Sequence, residues 1–264
     1  MGDPVMRVLV TGAHGFIGKN LSVRCGEGDR FAVIPFGRGD DPSNLPALVA
    51  NADAVIHLAG ENRPADESAF EAVNAGLTRA LCDAIRAVVA GSERRIPLIL
   101  ASSIQAERDN PYGRSKLAAE EAVKALAAET GNSAVIFRLP GVFGKWCRPN
   151  YNSVVATFCH NIARGLPIQI NDPDAVLRLV YIDDVVEALL AAVESAAPGA
   201  RYGTVAPEYS ITLGALAAQI RAFAKSRETL VTERTGTGLV RALHATYLSY
   251  LPVENFSYKV PQYA

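Results

Sequence analysis

Tyr112 and Lys116 carry a phenol and an ammonium four residues apart, in Tyr112-Gly113-Arg114-Ser115-Lys116. If a helix starts near Tyr112 the two share one face. A positive charge beside a phenol favours the phenolate, so Lys116 is expected to lower the Tyr112 pKa toward the working pH and suit it to proton transfer. Ser103 closes the apolar run that begins at Leu98 and can hydrogen-bond a substrate oxygen. A Tyr/Lys pair at this spacing is common on exposed helices, so its weight comes from following directly on a strand.

A second cluster lies near the amino terminus, in Val10-Thr11-Gly12-Ala13-His14-Gly15-Phe16-Ile17-Gly18. Between a strand and a helix, Gly12 permits a tight turn, Gly15 a close backbone approach to a phosphate, and Gly18 close packing of helix on sheet. The first amides of the helix and its positive dipole end then face a pyrophosphate. Such glycines can be purely structural, and the placement is what favours a dinucleotide. His14 is either a pyrophosphate neighbour or a solvent-facing side chain. The second strand ends Pro35-Phe36-Gly37-Arg38 without the acid that usually bonds the ribose of NAD. Arg38 is instead placed to meet a 2′-phosphate, which favours NADP, against the plain alternative of a solvated arginine. Ser102 is expected beside Ser103, toward a nicotinamide.

Strands are expected at Arg7–Thr11, Phe31–Phe36, Ala54–Ala59, Pro97–Ala101 and Ala134–Arg138, with helices at Phe16–Arg24, Leu45–Asn51, Ala69–Val89 and Ser115–Glu129. Apolar strands alternating with helices imply a parallel sheet covered on both faces, an α/β fold. Past Gly144 the alternation breaks. Helices are expected at Tyr151–Arg164, Asp184–Ser195, Thr212–Lys225 and Leu239–Leu251, extended chain at Pro167–Ile170 and Pro252–Ala264. This divides the chain into a dinucleotide-binding domain over 1–145, rejoined by 176–188, and a substrate lobe with a tail over 146–264. In or beside that lobe Lys145, Arg148 and Arg178 are cations suited to a diphosphate, and Asn150 and Asn152 to a sugar or base, although each is equally a solvated surface residue. Trp146 is expected to pack against the protein and not to stack on a base, and Asp183-Asp184 to cap a helix.

The 264 residues suffice for one large domain with a well-buried core. With 26 basic against 27 acidic side chains there is no positive field to gather nucleic acid or an anionic membrane. Cys25, Cys82, Cys147 and Cys159 show no zinc-ligand spacing and are expected as reduced thiols. No apolar run approaches the roughly 20 residues of a membrane helix, and Met6 stands where a myristoylation signal needs Ser or Thr. A cytoplasmic protein without a bound metal is the expectation.

Taken in order, Thr11-Gly12-x-x-Gly15-x-x-Gly18, His57-Leu58-Ala59-Gly60, Asn74, Ser102-Ser103, Tyr112-x-x-x-Lys116 and Arg138-Leu139-Pro140-Gly141-Val142-Phe143-Gly144 resemble the extended short-chain dehydrogenase/reductase family over about residues 6–258. The resemblance implies a Rossmann-type doubly wound sheet with a small carboxy-terminal lobe for a nucleotide sugar. It implies that Phe16, Ile17, Leu58, Ala59, Gly60, Asn74 and Leu139 join the glycine turn, Ser102, Tyr112 and Lys116 around the dinucleotide. It also implies that Ser103 orients the substrate carbonyl while Lys116 holds the nicotinamide ribose, and a homodimer built on the helices around Ala72–Val89 and Ser115–Glu129.

Ser102-Ser103-Ile104-Gln105-Ala106, Asp109-Asn110-Pro111-Tyr112-Gly113, the stretch Phe143–Val154 and Thr246–Pro252 narrow the likeness to surface-polysaccharide proteins that join such a reductase to a zinc-dependent cupin domain. That implies NADPH-dependent reduction at C4 of a UDP-linked 4-keto-6-deoxy-2-acetamido sugar. No cupin or zinc cluster stands in this chain, so the second activity of that pattern is expected to be missing from it. Two departures from the wider family are the short Ser103–Tyr112 connection and the short stretch from the second strand to Ala54. A nucleotide-sugar 4-epimerase holding NAD tightly would use the same residues, and a non-catalytic nucleotide sensor could share the fold.

Overall fold

The computed structural model describes residues 4–62, 66, 70–195, 197–231 and 233–256. In chain order the regular elements are β1 (Met6–Thr11), α1 (Phe16–Gly26), β2 (Phe31–Phe36), α2 (Leu45–Ala50), β3 (Ala54–His57), a π-helical turn (Glu71–Gly76), α3 (Leu77–Val89), β4 (Leu98–Ser103), α4 (Pro111–Thr130) and β5 (Ser133–Leu139). There follow β6 (Gly141–Phe143), α5 (Val154–Ile162), β7 (Val176–Tyr181), α6 (Ile182–Glu194), β8 (Gly199–Gly203), β9 (Glu208–Thr212), α7 (Leu213–Thr229) and α8 (Gly238–Ser249).

Strands buried on both faces read as continuous apolar runs, and Val8, Leu9 and Val10 of β1 and Leu98 and Ile99 of β4 are fully buried. They lie in a six-stranded sheet of order β2-β1-β3-β4-β5-β8, parallel throughout. The chain steps from β1 to β2 on one side and returns to β3 on the other. The topological switch point therefore falls at the carboxyl ends of β1 and β3, where open α/β sheets bind ligands. Leu45, Val49, Leu81, Ile85, Leu98, Val123, Leu126 and Ile136 form one core over this sheet.

The chain falls into two compact units, Met1–Pro140 with Asp183–Ala206, and Gly141–Ile182 with Pro207–Ala264. Whereas the sequence suggested a first boundary at 145 and a return over 176–188, β7 pairs with β6 on one side and β9 on the other in a separate sheet, and it is β8 that joins the large one. The second unit packs Phe143, Phe158, Phe223, Leu243 and Tyr247 around that small sheet, α5, α7 and α8.

The expected elements reappear with these differences. The helix expected over Ala69–Val89 opens with the π turn, and Ala69 lies outside the described residues. Pro167–Ile170 belongs to neither a helix nor a strand, and Val176–Tyr181, for which no strand was expected, pairs with β6 and β9. α5 begins at Val154, where Ser153 accepts the Ala156 N–H and stops the helix reaching back to Tyr151. Asp183 and Asp184 sit in the first turn of α6 and not at its cap. The extended tail expected over Pro252–Ala264 begins with a 3₁₀ turn at Val253–Phe256, and its remainder lies outside the described residues. Among the described residues no helix is long and apolar enough to cross a membrane.

One buried side chain joins sheet to helix at the far end of the fold. α4 ends at left-handed Gly131 (φ 66°), and the next residue, Asn132, accepts the Ile96 N–H at 2.8 Å and donates to the Ile96 carbonyl at 2.6 Å. Asn132→Ala strands both backbone groups, and urea unfolding should show a loss of about 2–3 kcal/mol. A loss below roughly 0.5 kcal/mol would remove this clamp from the account.

Candidate active site

The glycine turn has no room for side chains. Gly12 is left-handed (φ 72°), and a Cβ on it would lie 2.8 Å from the Ala59 nitrogen; one on Gly18 would lie 2.4 Å from the Gly12 carbonyl oxygen. Gly15 is the N-cap of α1, and no side chain caps that helix, whose first residues are Phe16, Ile17 and Gly18. An uncapped helix start beneath a turn this tight fits a pyrophosphate. Leu58 and Ala59 lie against the same turn, donating to the Thr11 carbonyl at 3.0 Å and the Thr11 hydroxyl at 3.2 Å. The residues present therefore fit a dinucleotide. Among the described residues no group of three or more His, Cys, Asp or Glu side chains is placed to hold a metal.

Ser103 and Tyr112 are joined by a hydrogen bond, and Lys116 follows Tyr112 by one turn of α4. Asn110 caps α4 by accepting the Gly113 N–H at 2.8 Å, Pro111 opens the first turn, and Tyr112 follows. The short connection from β4 is a 3₁₀ turn over Ile104–Glu107, and a Cβ on Gly113 would lie 2.3 Å from the carbonyl oxygens of Gln105 and Arg108. Glycine at 113 is what lets the helix start so close to the strand. Ser103 hydrogen-bonds the Tyr112 phenol.

The expected lowering of the phenol by Lys116 is not found. Burial pushes the Tyr112 pKa up and the Ser103 bond pulls it only partly back, so the side chain stands as a protonated phenol. Lys116 is buried and donates to the Ala101 carbonyl at 2.9 Å. Burial lowers its pKa to about 8 against a raising influence from Glu120. A Cβ on Gly60 would lie 3.1 Å from Asn74 Oδ1 and 3.4 Å from Lys116 Nζ, which places Gly60, Asn74 and Lys116 together.

Two buried polar clusters hold this arrangement. In the first, Thr78 donates to the Asn74 carbonyl at 2.5 Å, so its oxygen accepts from His57 Nε2–H at 2.8 Å. His57 Nδ1 then accepts the Thr11 hydroxyl at 2.5 Å. Burial, followed by the charge on Lys116, lowers the His57 pKa to about 3, which keeps the ring neutral. Asn74, within the π turn, accepts from the Glu61 N–H at 2.8 Å and donates to the Glu61 carbonyl at 3.0 Å and to Ser115 Oγ at 2.9 Å. Ser115 in turn donates to the Tyr112 carbonyl at 2.8 Å.

In the second cluster the fully buried Glu120 carboxylate accepts from Ser102 Oγ at 2.5 Å, Tyr202 OH at 2.9 Å, and Arg138 Nε and Nη2 at 3.0 and 2.7 Å. The Ser102 hydroxyl is thus engaged by Glu120 in the middle of α4, while Ser103 bonds Tyr112 in the first turn of the same helix.

Leu139, the last residue of β5, lies beside Ser103 in register. His14 is exposed, with its ring over Gly37, where a Cβ would lie 2.6 Å from Cδ2. Arg38 pairs with Glu61 at 2.7 Å.

The other candidates belong to the second unit. Lys145 lies over the Trp146 ring at 5.6 Å and Arg148 over Tyr151 at 5.2 Å. Trp146 is 49% exposed, and both it and Asn150 are left-handed (φ 68° and 55°). The Asn150 N–H donates to Thr157 Oγ1 at 2.9 Å, and Asn152 is exposed just before the Ser153 cap. Arg178 forms a two-pronged pair with Glu208 at 2.6 and 3.0 Å.

Glu61, Gly113, Ser115 and Glu120 were not singled out from sequence. Glu120 had a signal in its i+4 spacing from Lys116, whereas Glu61 acts through a contact between two loops and had none.

A glycine turn that fits a pyrophosphate at the switch point of the sheet, together with a Ser103–Tyr112 hydrogen bond, is the kind of arrangement a dinucleotide-dependent enzyme uses. The chain belongs to the NAD dependent epimerase/dehydratase family, whose model matches residues 8–206. It is 51% identical over 259 residues, 98% of this chain and 68% of the relative, to a UDP-2-acetamido-2,6-β-L-arabino-hexul-4-ose reductase of Pseudomonas aeruginosa. A solved structure of the capsular polysaccharide assembling protein CapF from Staphylococcus aureus matches with a TM-score of 0.81 and 35% identity, over 96% of this chain and 67% of that one. A UDP-glucose 4-epimerase from Thermotoga maritima, solved with UDP-glucose, shares the fold at a TM-score of 0.75 and 21% identity, over 93% and 98% of the two chains.

His57 makes this site acid-sensitive. Because its pKa is depressed in the folded state, the unfolded chain takes up the proton first, and stability present above pH 6.5 is lost as the pH falls from there toward about 3. Between pH 7.5 and 5.5 the loss in a His57→Gln variant should be about 1 kcal/mol smaller than in the wild type by denaturant unfolding. Equal losses would show that His57 is not held neutral.

Proposed function

We propose that this chain reduces the C4 keto group of a UDP-linked 4-keto-6-deoxy-2-acetamido sugar, using NADPH, in the synthesis of a surface-polysaccharide precursor in the cytoplasm. The observation that carries the reading is the hydrogen bond between Ser103 and a half-buried Tyr112, with the buried Lys116 one turn further along α4. The bound reduced nicotinamide would supply the hydride. Ser103 orients the keto oxygen, Tyr112 gives its phenolic proton to that oxygen as the alkoxide forms, and the resulting phenolate is stabilised by the ammonium of Lys116. A phenol with a raised pKa is suited to this donor role. The activity printed for the Pseudomonas relative supports the substrate class, and Arg38 supports the phosphorylated cofactor. Lys145, Arg148 and Arg178 are read as diphosphate ligands, Asn150 and Asn152 as ligands of the sugar or uracil, and the enzyme as a homodimer.

Loss of nicotinamide absorbance on mixing with NADPH and the keto sugar tests the reading. Tyr112→Phe should lower kcat by at least roughly 10²-fold with little change in cofactor affinity. The wild-type rate should fall as the pH rises through about 8, where Lys116 gives up its proton. A Tyr112→Phe rate near wild type would sink the assignment.

A further inference from the structure

β1 lies between β2 and β3, and the turn that follows it is the one fitted to a pyrophosphate. Just past the ends of the two flanking strands, Arg38 and Glu61 reach toward each other, with Nη2 and Oε2 2.7 Å apart. Their settings differ. The Arg38 side chain is 90% exposed and that of Glu61 15%. The backbone of Glu61 is held at both its N–H and its carbonyl by the Asn74 side chain. The carboxylate is therefore the fixed member of the pair and the guanidinium the movable one. The neighbouring acid, Asp40, is engaged in closing its own turn, accepting the Gly37 N–H at 2.7 Å.

We propose that Glu61 is a specificity-determining residue that sets how strongly the site prefers a 2′-phosphorylated dinucleotide over one with a free 2′-hydroxyl. The proposal rests on Arg38 as the ligand of the 2′-phosphate. No acid ends β2, yet Glu61 brings one to the same place from the far side of β1. A carboxylate accepts a hydrogen bond from a ribose 2′-hydroxyl but repels a phosphate, and a guanidinium has the opposite preference. When a 2′-phosphate enters, Arg38 must be shared between two anions. When a 2′-hydroxyl enters, Glu61 receives it. Glu61 thus tempers the discrimination that Arg38 creates, and the site accepts both cofactors with a bias toward the phosphorylated one.

Isothermal titration calorimetry of NADPH and NADH against the whole chain tests this in the wild type, Glu61→Gln, Arg38→Ala and the double variant. Glu61→Gln should raise the NADPH-over-NADH affinity ratio by about 10-fold, tightening NADPH and weakening NADH. In the Arg38→Ala background the tightening of NADPH should be smaller, since only the direct repulsion between carboxylate and phosphate then remains to be relieved. A ratio that is unchanged in Glu61→Gln, or that falls because the carboxylate steadies Arg38 for the phosphate, would overturn the proposal. So would an equal rise in Asp40→Asn. The reading beneath it fails separately: Arg38→Ala would then weaken both cofactors equally, whatever Glu61→Gln does.

Discussion

The carboxylate of Glu120 is wholly buried, and the rest of the site hangs from the way it is satisfied. An isolated charge at such depth would cost several kcal/mol even after relaxation. Arg138 from β5, Ser102 from β4 and Tyr202 from β8 meet it with four hydrogen bonds, and the Arg138 guanidinium also lies 4.8 Å from the centre of the Tyr202 ring. Three strands thereby grip one point on α4. Because Tyr112, Lys116 and Glu120 succeed one another at four-residue intervals, that grip fixes the azimuth of the helix and hence the positions of the phenol and the ammonium. Glu120 also favours the charged form of Lys116, whose burial works against it.

Two successive residues of β4 engage α4 at two points along its length. Ser102 is turned into the Glu120 cluster and Ser103 toward Tyr112, so anchoring the helix and presenting the hydroxyl are one geometric event. On the opposite flank the neutral chain from Thr11 through His57, Thr78 and Asn74 to Ser115 ties the glycine turn to the first turn of α4. The glycine turn and the start of the helix that carries Tyr112 are thus set in one frame. Preorganisation of this kind lets aligned groups act without reorganising as charge develops on the substrate oxygen.

The parallel sheet, the glycine turn and the Ser, Tyr and Lys set were legible in the sequence because each depends on local pattern: apolar runs, strand-to-helix glycines, i+4 spacing. What was not legible depends on long-range pairing. β8, with Gly199 and Gly203 around Ala-Arg-Tyr, has no apolar run and becomes a strand because β5 offers an edge. The π turn arises where Asn74 must reach Glu61 and Ser115 at once, and such turns recur at functional positions. The Tyr112 pKa was misjudged because spacing reveals a neighbouring charge but not the burial that outweighs it. Arg38 was placed correctly at the end of β2, while its partner Glu61 comes from a loop that only the sheet order brings near.

The central claim is net reduction at a sugar carbon by the site that Tyr112, Ser103 and Lys116 form. Single turnover with NADPH deuterated at the transferable position of C4, followed by NMR of the product sugar, tests it most directly. The account predicts one deuterium at the sugar C4 and stoichiometric NADP formation. A product without deuterium, or turnover with no net cofactor oxidation, would contradict it and move the chemistry to an epimerase.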